Sequence, residues 1–259
     1  MILAKTEEEI ELLRLNNELV SKTLAEVAKL IRPGITTLEL DKRAEEYIRD
    51  NGAKPGFLGF NGYPNTLCTS VNSAIVHGIP KSIALKDGDI VSVDCGTFMH
   101  GYYGDSAYTF TIGEVSPEVQ RLIKVTRESL ELGIDKAVEG FRVGDISHNV
   151  QQHAESNGYS VVRELVGHGL GKSMHEKPEV PNYGIRGNGS KLVSGMVICI
   201  EPMINMGSRH IIQERDGWTI RTSDGKPSAH FELAVVVRKG KAERLSTFKY
   251  IDEVLKAVN

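Results

Sequence analysis

Four carboxylates in this sequence stand where a carboxylate is costly. Asp94 follows Ile90-Val91-Ser92-Val93, Asp105 lies in the apolar stretch Tyr103 to Phe110, Glu201 closes Met196-Val197-Ile198-Cys199-Ile200, and Glu232 lies in Phe231 to Val237. An ionised carboxylate on an apolar strand must regain what it loses in hydration, or it takes up a proton. Read singly, each is a salt-bridge partner or a strand-end residue facing water. If the four converge, their repulsion forces protonation unless about two divalent cations neutralise them. The chemistry they offer together is therefore divalent-metal binding.

Histidines supply the second part of the pattern. In Gly167-His168-Gly169-Leu170-Gly171 glycines flank an imidazole and let backbone come close, as a ligand-bearing or substrate-gripping turn requires. His175 precedes Pro178, and His77 lies in the turn-like Val76-His77-Gly78-Ile79-Pro80. His100, His148, His153, His210 and His230 read as ordinary surface or core histidines. Among these His230 stands out, because its side chain shares a strand face with Glu232.

The elements that must position these groups alternate between helices and strands. Thr6 with Glu9, and Thr36 with Glu39, are capping-box signatures ahead of apolar residues at helical spacing, which end at Pro33-Gly34 and Asn51-Gly52. Ser116-Pro117 predicts a third helix running to about Gly140, and a fourth starts at Asp145. Asp89 to Cys95 and Tyr103 to Phe110 predict two strands joined through His100-Gly101, with two more at Met196 to Glu201 and Phe231 to Val237. Each strand pair carries two of the carboxylates. That echo suggests two similar halves facing each other, or two β-rich segments alike by chance.

With 259 residues, 40% hydrophobic and 25% charged, the chain can bury a large core, and we expect one catalytic domain over 1–259. A net charge of −3 without long runs of one sign gives no footprint for nucleic acid or an anionic membrane. Glu7-Glu8-Glu9 follows the start directly and the apolar runs are short, so neither a signal peptide nor a membrane anchor is expected. The three cysteines, Cys68, Cys95 and Cys199, lack CxxC spacing, which fits a reducing cytoplasm and argues against a structural zinc site. Cys95 and Cys199 read as buried thiols.

Through Val76-His77-Gly78-Ile79-Pro80, Val93-Asp94, Gly104-Asp105, Gly167 to Gly171, His175-Glu176-Lys177-Pro178, Ile200-Glu201-Pro202, Trp218-Thr219 and Phe231-Glu232, the chain resembles type I methionine aminopeptidases from end to end. The resemblance implies an α+β pita-bread fold: a curved antiparallel sheet backed by two pairs of helices, with pseudo-twofold halves. It implies removal of the initiator methionine from nascent polypeptides with a small second residue, by a metal-activated hydroxide attacking the first peptide bond. The metal ligands it implies are Asp94, Asp105, His168, Glu201 and Glu232, with Asp105 and Glu232 bridging two ions. One histidine and four carboxylates suit Mn, Fe or Co rather than a thiolate-seeking metal.

By the same resemblance Glu201 shuttles the proton, His175 bonds the oxygen that becomes negative, and His77 contacts the scissile amide. Phe60, Tyr63, Cys68, Met174 and Trp218 enclose the methionine side chain, for which aromatic faces and sulfur are suited. Asn72 and Ser228 match positions that hold a monovalent cation through backbone oxygens. Ribosome association and a monomeric state are family-level expectations.

The chain departs from the pattern near the last ligand. Many members read Ser-Ala-Gln-x-Glu-His-Thr, whereas this chain has Ser228-Ala229-His230-Phe231-Glu232-Leu233-Ala234, which puts metal affinity or preference in question. Met174 stands where an aromatic residue is usual, and Asn61 where a histidine is common. Two other readings share the fold. Prolidases and aminopeptidase P use the same ligands but usually carry a further domain ahead of the catalytic one, for which a first helix near Thr6 leaves no room. A catalytically dead binding relative would have lost ligands, and none is lost here.

Overall fold

The computed structural model describes residues 4–258. Met1 to Leu3, on which part of the expectation about a leader rests, lie outside them.

Helices α1 (Glu7–Ala28) and α2 (Thr37–Asp50) come first. Both open on the expected capping boxes: Glu9 N donates to Thr6 Oγ1 at 3.3 Å while Thr6 N donates to Glu9 Oε2 at 3.0 Å, and Thr36 and Glu39 repeat the exchange. Short strands β1 (Lys54–Pro55), β2 (Leu67–Val71) and β3 (Ala74–Val76) lead to a hairpin of two ten-residue strands, β4 (Ile90–Met99) and β5 (Tyr102–Thr111). Its two-residue turn is His100-Gly101, both at positive φ, the geometry that matches strand twist.

The second half repeats the order. Helices α3 (Pro117–Ile134) and α4 (Val143–Ser156) precede β6 (Ser160–Val161), β7 (Gly167–Gly169), β8 (Glu176–Val180), β9 (Val197–Ile200) and β10 (Met203–Asn205). Then come β11 (Ile211–Gln213), β12 (Ile220–Thr222), β13 (Ser228–His230), β14 (Glu232–Val236), β15 (Glu243–Arg244) and the closing helix α5 (Lys249–Val258).

Helix α3 stops earlier than the sequence predicts. Beyond it Val138 pairs with Arg238 and Glu139 N donates to Arg238 O, so tertiary pairing takes the backbone that a longer helix would use. Helix α4 begins two residues before Asp145, whose carboxylate accepts from Arg142 N at 2.8 Å and closes the first turn. Helix α5 is an addition to the elements that the sequence patterns predict.

A nine-stranded antiparallel sheet organises the molecule, in the order β1-β4-β5-β14-β9-β7-β8, with β2 also on β4 and β15 also on β14. The halves meet at β5–β14, where Glu232 pairs with Ala107. Helices α1 and α2 pack together, as do α3 and α4; α1 lies on β4 and β5, and α3 on β9 and β14. Strand alternation sorts the side chains. Val91, Val93, Cys95, Ile198, Ile200, Leu233 and Val235 enter the large core that also holds the apolar faces of the helices. The intervening positions, among them Asp94, Asp105, Cys199, Glu201 and Glu232, turn to the opposite face.

Candidate metal centre

Asp94 and Glu232 both lie opposite Ala107, one from each neighbouring strand, and Asp105 lies two residues before it on the same face. The small Ala107 side chain leaves room between the carboxylates. Asp105 is held from behind, since its N–H donates to Asn17 Oδ1 of α1 at 3.1 Å. Gly104 lets α1 come that close: a Cβ there would stand 2.8 Å from the Asn16 carbonyl carbon.

His168 arrives from β7. Where the sequence suggests a turn, Gly167–Gly169 is instead a bulged strand wedged between β8 and β9. Its glycines serve backbone contact, because a Cβ would lie 2.4 Å from Cys199 O at Gly167 and 2.5 Å from Lys177 O at Gly169. His168 Nδ1 sits 2.9 Å from Gly169 O. A carbonyl only accepts, so Nδ1 bears the hydrogen and Nε2 is left bare, as a metal ligand requires. Nε2 lies 3.5 Å from Glu201 Oε1 and 3.8 Å from Asp105 Oδ2. Burial lowers the His168 pKa to about 4, so these are not ion pairs.

These residues fit divalent cations. One ligand atom each from Asp105, His168, Cys199 and Glu232 lie within 4.8 Å of one another, while Asp94 Oδ1, Asp105 Oδ1 and Glu232 Oε1 are buried without a hydrogen-bond partner. Burial raises Asp94 to about 7. Burial, then repulsion from neighbouring carboxylates, raises Asp105, Glu201 and Glu232 well above the usual range. Orphaned oxygens and mutual repulsion are what cations would relieve. The sequence marks Cys199 only as a buried thiol, although its place two residues before Glu201 puts it on the site's face. It is buried, and burial beside carboxylates keeps it a thiol rather than a thiolate ligand.

The cluster forms the floor of a cavity of about 500 Å³, and every residue proposed from the sequence for metal, catalysis or the methionine pocket lines it. His77 takes a left-handed φ of 58° just after β3, a conformation uncommon outside functional or turn positions. Burial lowers its pKa to about 4 and lowers that of His175 too, so both are neutral near pH 7. The His175 ring meets His168 edge-on at 4.4 Å and Phe60 at 5.5 Å. Tyr63 stands edge-on to Trp218 at 5.1 Å, and its hydroxyl lies 2.9 Å from Gly78 O, which ties the apolar wall to the His77 turn.

Phe57, Val76, Leu165 and Met203 also line the cavity and were missed. A Cβ on Gly96 would lie 2.5 Å from the Phe57 ring, so the glycine after Cys95 admits it, but no sequence spacing links the two. Asn72 and Ser228 are adjacent: Ser228 N donates to Asn72 O at 3.0 Å. His230 is enclosed, 1% exposed, with neither ring nitrogen bonded, and burial lowers its pKa to about 3.

Comparison with known proteins agrees with this geometry. Residues 11–239 match the model of metallopeptidase family M24. A methionine aminopeptidase of Clostridium perfringens is 50% identical, over 96% of this chain and 100% of its own length. Methionine aminopeptidase 1 of Bacillus subtilis is 47% identical, over 92% and 96% respectively. The crystal structure of methionine aminopeptidase from Thermotoga maritima superposes with a TM-score of 0.94 at 42% identity, covering 95% of this chain and all of that one. A Xaa-Pro dipeptidase from Bacillus anthracis shares the fold at 21% identity, with a TM-score of 0.78, and this chain covers 62% of it.

Proposed function

This chain belongs to metallopeptidase family M24 and, within it, to the methionine aminopeptidases, which remove the N-terminal methionine of polypeptides; we propose that it does so with two divalent ions held by Asp94, Asp105, His168, Glu201 and Glu232. If two ions are bound, Asp105 and Glu232 would be the ligands shared between them. The observation that carries it is the convergence of buried, unpartnered carboxylate oxygens beside a bare imidazole nitrogen at the floor of one cavity. The hard donor set favours Mn, Fe or Co. Such ions would supply a Lewis acid for the carbonyl and lower the pKa of water enough for its nucleophilic, deprotonated form to be available near neutral pH.

The chain's own groups supply the rest. Glu201 reaches the cavity with 13% of its side chain exposed, and we assign it the proton shuttle from water to the departing amine. Neutral His175 has an N–H to give the carbonyl oxygen as it gains charge, and His77 contacts the scissile amide. Phe60, Tyr63, Cys68, Met174 and Trp218 take the methionine side chain, their apolar and sulfur atoms matching a thioether. Bulk at the second residue would crowd the carbonyl, so small residues are preferred there.

Nascent chains at the ribosome are the substrates we propose, acted on in the cytoplasm by a monomer of one catalytic domain, with a monovalent cation held near Asn72 and Ser228. Among the described residues no helix is long and apolar enough to cross a membrane. Hydrolysis of Met-Ala-Ser, Met-Leu-Ser and Ala-Pro-Ser by the purified protein, supplied anaerobically with Mn²⁺, Fe²⁺ or Co²⁺, tests the reading. Methionine release from Met-Ala-Ser alone, abolished by a chelator, is expected. Cleavage confined to Ala-Pro-Ser would assign it to the proline-directed enzymes instead.

A further inference from the structure

We propose that His230 is a positioning residue for Glu201: its Nε2–H donates to the Glu201 carboxylate and fixes the direction in which that side chain faces. His230 Nε2 stands 4.0 Å from Glu201 Oε2, a gap that a small side-chain rotation closes. The imidazole is 1% exposed, and both its nitrogens lack partners in a core where buried polar groups are otherwise bonded as a rule. It does not line the substrate cavity, so its effect on the reaction passes through another residue.

The backbone around His230 leaves its side chain little choice of direction. His230 N donates to Thr109 Oγ1 at 2.9 Å, Thr109 Oγ1 donates back to His230 O at 2.7 Å, and the residue pairs with Met203 across β10 and β13. On the other side of Glu201, His168 Nε2 faces Oε1 at 3.5 Å, but that nitrogen is bare because Nδ1 carries the hydrogen to Gly169 O. Of the two imidazoles that bracket Glu201, only His230 is free to offer it an N–H. A carboxylate that shuttles a proton and also holds metal must keep one rotamer, and a charge-assisted bond from a rigid donor does this.

The role rests on the proposed place of Glu201 in the reaction, so the test includes readouts independent of turnover. In ¹⁵N-labelled protein loaded with diamagnetic Zn²⁺, the His230 ring should give the Nε2–H tautomer in a long-range ¹H–¹⁵N spectrum. The Nδ1–H tautomer would overturn the proposal, and this measurement needs no variant. His230→Leu should then weaken Mn²⁺ binding, read by calorimetry, about tenfold and lower kcat on Met-Ala-Ser about tenfold with little change in KM. His230→Gln restores an N–H donor and should recover most of both losses. A Leu variant that binds Mn²⁺ and turns over like the unaltered protein, or a Gln variant no better than Leu while both melt normally, would equally overturn it. If the unaltered protein releases no methionine, the functional reading fails, while tautomer and Mn²⁺ affinity still decide the role of His230.

Discussion

Asp94 is raised to about 7, and burial and mutual repulsion raise its three carboxylate neighbours well above the usual range, so without a cation the cluster favours its protonated forms. A metal takes only the ionised form, so binding must expel those protons. The sign follows from the direction of the shifts: raised acids stay protonated at low pH, and apparent affinity climbs as pH rises through about 7. Calorimetric titration of metal-stripped protein with Mn²⁺ at pH 6, in two buffers of different ionisation enthalpy, should show more than one proton released. Equal affinity at pH 6 and pH 8 would mean that the carboxylates are already ionised. These four were legible in the sequence because an acid on an apolar strand violates a local rule that only its surroundings can excuse. Phe57 and Met203 violate nothing, and their place on the cavity wall comes from contacts between distant segments.

At the scale of elements, legibility followed locality. The capping boxes at Thr6 and Thr36 and the β4–β5 turn depend on residues within a few positions of each other, and all three appear as expected. The end of α3 and the strand character of Gly167–Gly169 are set by partners farther along the chain, Arg238 in one case and β9, with the nearer β8, in the other. A contact of the same long-range kind steadies the loop that carries Met174 and His175. Lys5 Nζ lies 2.6 Å from Glu176 Oε2 with only 8% of the Lys5 side chain exposed, Ser173 N donates to Glu176 Oε1 at 3.2 Å, and Lys5 N donates to Gly195 O at 2.8 Å. Lys5→Met keeps the length and removes the charge, leaving a half-buried carboxylate without its cation. We expect a loss of about 1–2 kcal/mol in denaturant unfolding and a several-fold rise in KM for Met-Ala-Ser, with Glu176→Gln adding little on top. Full additivity of the two substitutions would show that the pair is not what holds the loop.

The whole molecule is two helix-backed strand pairs closed against each other at β5–β14, and the candidate metal centre sits on that join. Asp94 and Asp105 come from the first half, and His168, Glu201 and Glu232 from the second. The echo between the halves was faint in sequence because they share backbone path and carboxylate placement but few residue types. Four carboxylates pressed together across the join oppose its closure, and cations binding there reverse that opposition, so ligand linkage should act on the molecule as a unit. Mn²⁺ at about 100 times its Kd stabilises by about 2.7 kcal/mol, which for a chain of this size corresponds to a Tm rise of roughly 5–10 °C over chelated protein. Asp105→Asn separates the two contributions. Asn at that position no longer has to take up a proton when the metal-free chain folds, so the metal-free variant should melt no lower than metal-free unaltered protein, yet Mn²⁺ should no longer raise its Tm by that amount. Scanning calorimetry of both proteins with Mn²⁺ and with chelator reads all four values, and a Mn²⁺ shift undiminished in the variant would take Asp105 out of the ligand set.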